Sequence, residues 1–197
     1  MKSVLSAVLM TSALVVTVPA SAALKDGQSA PDFKAQASLA GKEFTFSLKD
    51  ALKKGPVVVY FYPAAYTGGC NVEAHTFAEE KDKFDAAGAT IIGVSQDSIK
   101  RLNDFSADPD YCAGKFPVVS DSDGAITRSY DLKVMSLTPG RKDTRGVELD
   151  HAFTERTTFV IKPDGKIVAT LSSADDGIKP GEHVEKSLAI IEKLAQR

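Results

Sequence analysis

Cys70 closes the run Pro63-Ala64-Ala65-Tyr66-Thr67-Gly68-Gly69-Cys70, which follows an apolar stretch from Val57 to Tyr62 and precedes a segment of helical periodicity. A thiol at that junction sits at a helix N-terminus, where unpaired N–H groups and the positive end of the helix dipole favour an anion, here the thiolate. The sequence thus offers a nucleophile. Thr67 stands where the usual dithiol redox motif carries its first cysteine, so dithiol exchange within one motif is excluded. Its hydroxyl can donate to, or accept from, an oxygen-containing substrate lying against the sulfur.

Alternating βα elements must position these groups. Val57 to Tyr62, entered through Gly55-Pro56, reads as a buried central strand, and Phe44 to Leu48 as a strand beside an early hairpin. From Gly69 to about Ala87, Ala74, Phe77, Lys81 and Phe84 recur at three- and four-residue steps, and Gly88 ends the helix. Ala89 to Val94 is the next strand, Asp97 to Phe105 the next helix, and Phe116 to Val119 a short strand. Thr157 to Ile161 and Lys166 to Leu171 flank the turn Lys162-Pro163-Asp164-Gly165 and predict an antiparallel hairpin. Glu182 to Ala195 carries Val184, Leu188, Ile191 and Leu194 on one stripe and predicts a closing amphipathic helix. Leu132 to Phe153 is polar, holds Pro and Gly, and reads as a functional loop. Together these elements predict an α/β, thioredoxin-like fold: a central mixed β-sheet flanked by helices, with an N-terminal β-hairpin extension.

The first 22 residues do not read as part of that fold. Lys2, an apolar stretch from Val4 to Val18, Pro19 and Ala20-Ser21-Ala22 have the layout of a secretory signal cleaved after Ala22. Its apolar part, ~15 residues, is shorter than the ~20 of a permanent span. The expected organisation is a signal over residues 1–22 and one domain over 23–197, exported to a periplasm or secreted, with no membrane association after cleavage. A net charge of −2 without a basic stripe gives no reason to bind nucleic acid. Both cysteines, Cys70 and Cys112, would meet an oxidising compartment, and a single structural disulfide is one reading of them.

Pro63, Thr67 and Cys70 match in order and spacing the motif of the peroxiredoxins, which the chain resembles. Arg156-Thr157-Thr158-Phe159-Val160-Ile161 is similar to the Arg-bearing strand that closes the pocket in that family, and Gly27 to Phe33 to its opening. Glu73, three residues after the thiol, makes the chain most similar to the Q-type branch, the bacterioferritin comigratory proteins. The resemblance implies reduction of hydrogen peroxide and organic hydroperoxides, with Cys70 peroxidatic and oxidised to a sulfenic acid. Peroxide cleavage develops negative charge on the leaving oxygen, which fixed donors must stabilise. Arg156 is the donor expected to do so, with Arg128 the next candidate. Thr67 and the Cys70 backbone N–H would complete the cradle, Pro63 would shield it from water, and Glu73 would orient Arg156. Where many branch members carry a second cysteine five residues after the first, this chain has His75. The resemblance therefore leaves Cys112, in the polar stretch Ser106 to Gly114, as the resolving thiol. A thioredoxin-like or other dithiol would reopen the resulting disulfide. No cofactor is implied, and the protein would be a monomer or weak homodimer.

His75 and His151 invite a metal site with Cys70 as third ligand, but no set of ligand spacings is satisfied, and no metal is expected. His183 in the last helix reads as solvated, Phe61 and Tyr62 as core, and Tyr66 as a pocket wall. Two other functions stay open. One is an exported, non-enzymatic redox or binding module in which Cys70 and Cys112 form a structural bridge. The other is a protein thiol-disulfide oxidoreductase, weakened by the lack of a resolver at Thr67.

Overall fold

The computed structural model describes residues 23–196; the expected signal, residues 1–22, lies outside them. The chain order is β1 (Lys34–Leu39), β2 (Lys42–Ser47), α1 (Leu48–Leu52), β3 (Val57–Phe61), α2 (Gly68–Ala86), β4 (Thr90–Ser95) and α3 (Ile99–Ala107). It continues with β5 (Val118–Ser120), α4 (Ala125–Ser129), β6 (Val134–Met135), β7 (Phe153–Thr154), β8 (Thr157–Ile161), β9 (Ile167–Ser172), α5 (Ser173–Asp176) and α6 (Pro180–Ala195).

The seven-stranded sheet runs β2-β1-β5-β4-β3-β8-β9. At its centre β3 pairs parallel with β4 and antiparallel with β8, which makes the sheet mixed. The expected N-terminal hairpin, β1–β2, extends the same sheet through antiparallel pairing of β1 with β5. All five residues of β3 are buried, as a strand covered on both faces requires, and its two-residue period divides the core. Val58, Tyr60 and Tyr62 join the cluster that holds α2, α3 and α6, whereas Val57, Val59 and Phe61 join the one beneath α1 and α4. Both cysteines belong to the first cluster.

Helix α2 packs on the sheet through Cys70, Glu73, Ala74, Phe77, Ala78 and Phe84. It ends in a Schellman motif: Gly88 takes a φ of +71°, its N–H bonds the Asp85 carbonyl, and the Ala89 N–H bonds the Phe84 carbonyl. The hairpin β8–β9 is antiparallel as expected. Within the segment read as a loop, β6 and β7 form a two-stranded ribbon. No helix among the described residues is long and apolar enough to cross a membrane.

Candidate active site

Thr67 is the N-cap residue of α2, but its hydroxyl does not cap the helix; it donates to the Ala64 carbonyl at 2.8 Å. The helical ladder starts with the Asn71 N–H on the Thr67 carbonyl (2.8 Å), so the N–H groups of Gly68, Gly69 and Cys70 precede it. The Cys70 thiol therefore lies at the positive end of a 19-residue helix, buried to 2% exposure. With its proton committed to Ala64, the Thr67 oxygen is left as an acceptor toward anything docked above the sulfur.

Arg156, between β7 and β8, reaches both acidic groups of the site. Its Nη2 donates to Cys70 Sγ at 3.1 Å and its Nη1 to Glu73 Oε2. Glu73 stands one helical turn after Cys70, the spacing that puts two side chains on one face. Burial pushes the Glu73 carboxyl up to about 7 even though Arg156 pulls it down, and Glu73 Oε1 is buried without a partner. Burial works against the Arg156 charge as well, but contact with Glu73 and Cys70 outweighs it and holds the guanidinium above its ordinary range. A Cβ on Gly69 would stand 3.2 Å from Arg156 Nη2 and 3.1 Å from Pro180 Cγ, so a larger residue here would press on the guanidinium.

The Arg156 main chain is fixed from behind. The Ser173 N–H donates to the Arg156 carbonyl at 3.1 Å, and the Ser173 hydroxyl donates to the Ile178 carbonyl at 2.7 Å. That leaves Ser173 Oγ to accept from His183 Nε2 (2.9 Å), and His183 Nδ1 to accept from the Thr158 hydroxyl (3.0 Å). The solvated reading of His183 is thus corrected: the residue is wholly buried, because α6 lays this part of its first turns on β8. Burial first, and Arg156 second, push it down to about 4.

Cys112 is also a free thiol, fully buried, in the turn after α3. The polar stretch around it is held by hydrogen bonds. The Ala113 N–H bonds Asp108 O, the Gly114 N–H bonds Ser106 O, Lys115 Nζ reaches Ala78 O at 2.9 Å, and His75 Nδ1 lies 3.0 Å from Asp110 O. Burial, then Asp108, push the Cys112 thiol well up.

Pro63 and Arg156 line a cleft of about 360 Å³ together with Lys133, Met135, Glu155, Ser173 and Ala174. Tyr66, read as a pocket wall, is buried, edge-on to Phe105 and Tyr111. Arg128 is exposed and donates to the Asp123 carbonyl, and no contact joins it to Cys70. His151 bonds Asp97 (2.9 Å), and no group of three or more His, Cys, Asp or Glu able to hold a metal occurs among the described residues. Sequence reasoning passed over Gly69 and Asp97. Asp97 Oδ2 accepts the Ala65 N–H at 2.7 Å and so fixes the thiol loop. Its one legible signal is an acidic residue just past the carboxyl end of a parallel strand, where α/β sheets bind ligands.

Comparison with known proteins agrees with this geometry. Residues 27–170 match the AhpC/TSA family. The chain is 33% identical over 141 residues to the peroxiredoxin Bcp of Xanthomonas campestris, covering 72% of this chain and 79% of that protein. Its fold is similar to that of the peroxidoxin BcpB of Mycobacterium tuberculosis, with a TM-score of 0.69, 27% identity, and 86% and 97% of the two chains covered. It is also similar to the X. campestris bacterioferritin comigratory protein, a structure described for its alkyl peroxide reduction activity. There the TM-score is 0.62 at 33% identity, over 81% and 91% of the two chains.

Proposed function

The chain belongs to the AhpC/TSA family of peroxiredoxins, and on that footing we propose that it is an exported thiol-dependent peroxidase acting through Cys70 on hydrogen peroxide and organic hydroperoxides. The observation that carries the reading is Arg156 Nη2 at 3.1 Å from Cys70 Sγ, with Glu73 holding the other arm of the same guanidinium. The Cys70 thiolate attacks one peroxide oxygen, the O–O bond breaks, and the leaving oxygen departs with the electron pair and takes up a proton. Arg156 and the free N–H groups at the start of α2 are aimed where that charge grows, and Thr67 Oγ accepts the peroxide hydrogen. The apolar-sided cleft beside Pro63 and Met135 has room for the organic part of a hydroperoxide.

Cys70 is left as a sulfenic acid. The Cys112 thiol then attacks it, a disulfide forms, and water leaves. Since Cys112 is buried and its ionisation is suppressed, this step needs the turn at 108–114 and the start of α2 to open. A thioredoxin-like dithiol then reduces the disulfide by exchange. The layout of residues 1–22 supports export, and intact-mass measurement on protein recovered from the exporting cell should give Ala23 as the first residue. Retention of Met1 in a soluble cytoplasmic product would overturn that placement.

The mechanism is tested by adding one equivalent of peroxide to reduced protein and mapping the products by mass spectrometry. Wild type should yield a Cys70–Cys112 disulfide, and Cys112→Ser should accumulate sulfenic acid at Cys70 and over-oxidise on repeated exposure. Normal turnover of Cys112→Ser with a dithiol donor, and a wild type that stops at sulfenic acid, would make this a one-cysteine peroxidase.

A further inference from the structure

A second charged cluster lies behind the thiol loop, built on the segment 138–150 between β6 and β7. Asp143 is its centre. Its carboxylate accepts from Arg101 Nη2 at 2.7 Å, from Arg145 Nη2 at 3.0 Å, and from the backbone N–H groups of Arg145 and Val147 at 2.8 and 2.9 Å. The residues it organises grip the loop that carries the site. Thr144 donates twice to the Tyr66 carbonyl, from its N–H (2.9 Å) and its hydroxyl (2.8 Å). Arg101 Nη2 also donates to the Ala65 carbonyl (2.9 Å), and the Arg145 guanidinium lies 3.2 Å from the centre of the Tyr66 ring.

Tyr66 needs such a grip. Its φ of +61° is left-handed, a conformation unfavourable to a residue with a Cβ that persists only when the surroundings over-determine it. Thr67 is the next residue, and Cys70 follows within one turn. The segment 138–150 is therefore a strap across the thiol loop, and Asp143 joins the strap to the body of the protein through Arg101.

We propose that Asp143 is a positioning residue that latches this strap, and that the latch governs how the Cys70 sulfenic acid divides between capture by Cys112 and further oxidation. The proposal rests on the reading of Cys112 as the resolving thiol. Attack on peroxide uses the latched loop, with Cys70 against Arg156. Capture requires the loop to release, since Cys112 is buried in a separate turn and the two thiols are unpaired in the latched form. In capture, the Cys112 sulfur bonds to Cys70 and water leaves. In the competing step, a second peroxide transfers one oxygen to the sulfenic acid, giving a sulfinic acid and leaving as water or alcohol. A tighter latch lengthens the life of the sulfenic acid and favours the second outcome.

Asp143→Asn removes the charge that both arginines share, while Arg101 keeps its contact with Asp97 (Nε–Oδ1, 2.9 Å). Arg145→Gln, at a partly exposed side chain, is the gentler second variant. Quenched-flow mass spectrometry should follow sulfenic acid, disulfide and sulfinic acid in each. Disulfide formation should speed up about tenfold, the size expected for one lost charge-assisted hydrogen bond, with less sulfinic acid after repeated peroxide and no gain in the attack step. A merely structural role would slow attack and leave the disulfide step unchanged or slower, and that result overturns the proposal. Hydrogen exchange on the reduced proteins gives an arm that does not need Cys112. Amides from Tyr66 to Asn71 should exchange faster in both variants, and equal exchange overturns the latch. A wild type that never forms the Cys70–Cys112 disulfide overturns the resolving reading and the partition built on it, while exchange still decides whether Asp143 positions the loop.

Discussion

Arg156 serves two acidic partners, so removing its charge acts on the chemistry and on the fold at once. Arg156→Met should slow peroxide attack on the order of 10²-fold, because a charge-assisted donor aimed at the developing oxyanion disappears. Thr67→Val should also slow attack, and Thr67→Ser less so, since only the first removes the acceptor oxygen. Competition kinetics against a peroxidase of known rate reads all three, and an unchanged rate in Arg156→Met would remove this residue from the mechanism. His183 makes a different prediction. Its proton affinity is lower in the folded chain, about 4, than in the unfolded chain, whose histidines titrate near 6.5. Between those values the unfolded state binds more protons, so this residue's contribution to stability is complete above about 6.5 and is lost as the pH falls toward 4, by about 3 kcal/mol at most. Glu73, whose carboxyl is raised by burial, works in the opposite sense across an overlapping range, since its folded form binds the extra proton. The comparison that isolates His183 is therefore wild type against His183→Gln in urea denaturation from pH 7 to 4. The stability difference between them should shrink as the pH falls, and a constant difference would refute the assignment.

At the scale of elements, the site exists because α2 meets the start of α6 and the Arg156 side chain at a glycine. Gly69→Ala keeps the helix and removes the gap through which Arg156 reaches Cys70, with a Cβ at 3.2 Å from Nη2 and 3.1 Å from Pro180 Cγ. Alanine is the better helix former, so propensity alone would favour this substitution. The expected outcome is instead a marked loss of peroxide attack with the helical content retained, read by kinetics and far-UV circular dichroism on the same sample. Attack at the wild-type rate would mean that the Arg156 contact does not depend on this approach. The same scale shows what composition leaves out around Cys112. Within the polar stretch Ser106 to Gly114, Ser106 and Cys112 are both fully buried, the thiol in the apolar cluster that also holds Phe105, Phe116 and Tyr62. Composition reports the outer face of a turn and says nothing of the side chains that point the other way.

For the whole molecule, the central strands and the helices α2, α3 and α6 were legible from local pattern, whereas the short helices α1, α4 and α5 were not. The apolar run at β3, the three- and four-residue steps of α2 and the Pro-Asp-Gly turn each identify an element from local pattern, and the ends fell within a few residues. Cys70 and Thr67 were legible through motif spacing, and Arg156 and Glu73 through the resemblance to the peroxiredoxins. What escaped were contacts between distant segments. His183 has a helix-face position that polar residues often occupy in water, and only Thr158 and Ser173, on other elements, show that it is buried. Asp143 and Thr144 lie in a stretch without periodicity, so nothing local marks their grip on Tyr66. Gly69 reads only as the first residue of a helix until Arg156 is folded over it.

All of these arrangements converge on one thiol, and one measurement tests that claim most directly. Fully reduced wild type and Cys70→Ser are mixed rapidly with one equivalent of peroxide, and peroxide loss is followed in time. The wild type should consume it stoichiometrically and fast, while the serine variant, which keeps Arg156, Thr67 and Cys112, should leave it essentially untouched. Consumption by Cys70→Ser at the wild-type rate would contradict the account, because the reacting sulfur would then lie outside the site that Arg156 and Glu73 define.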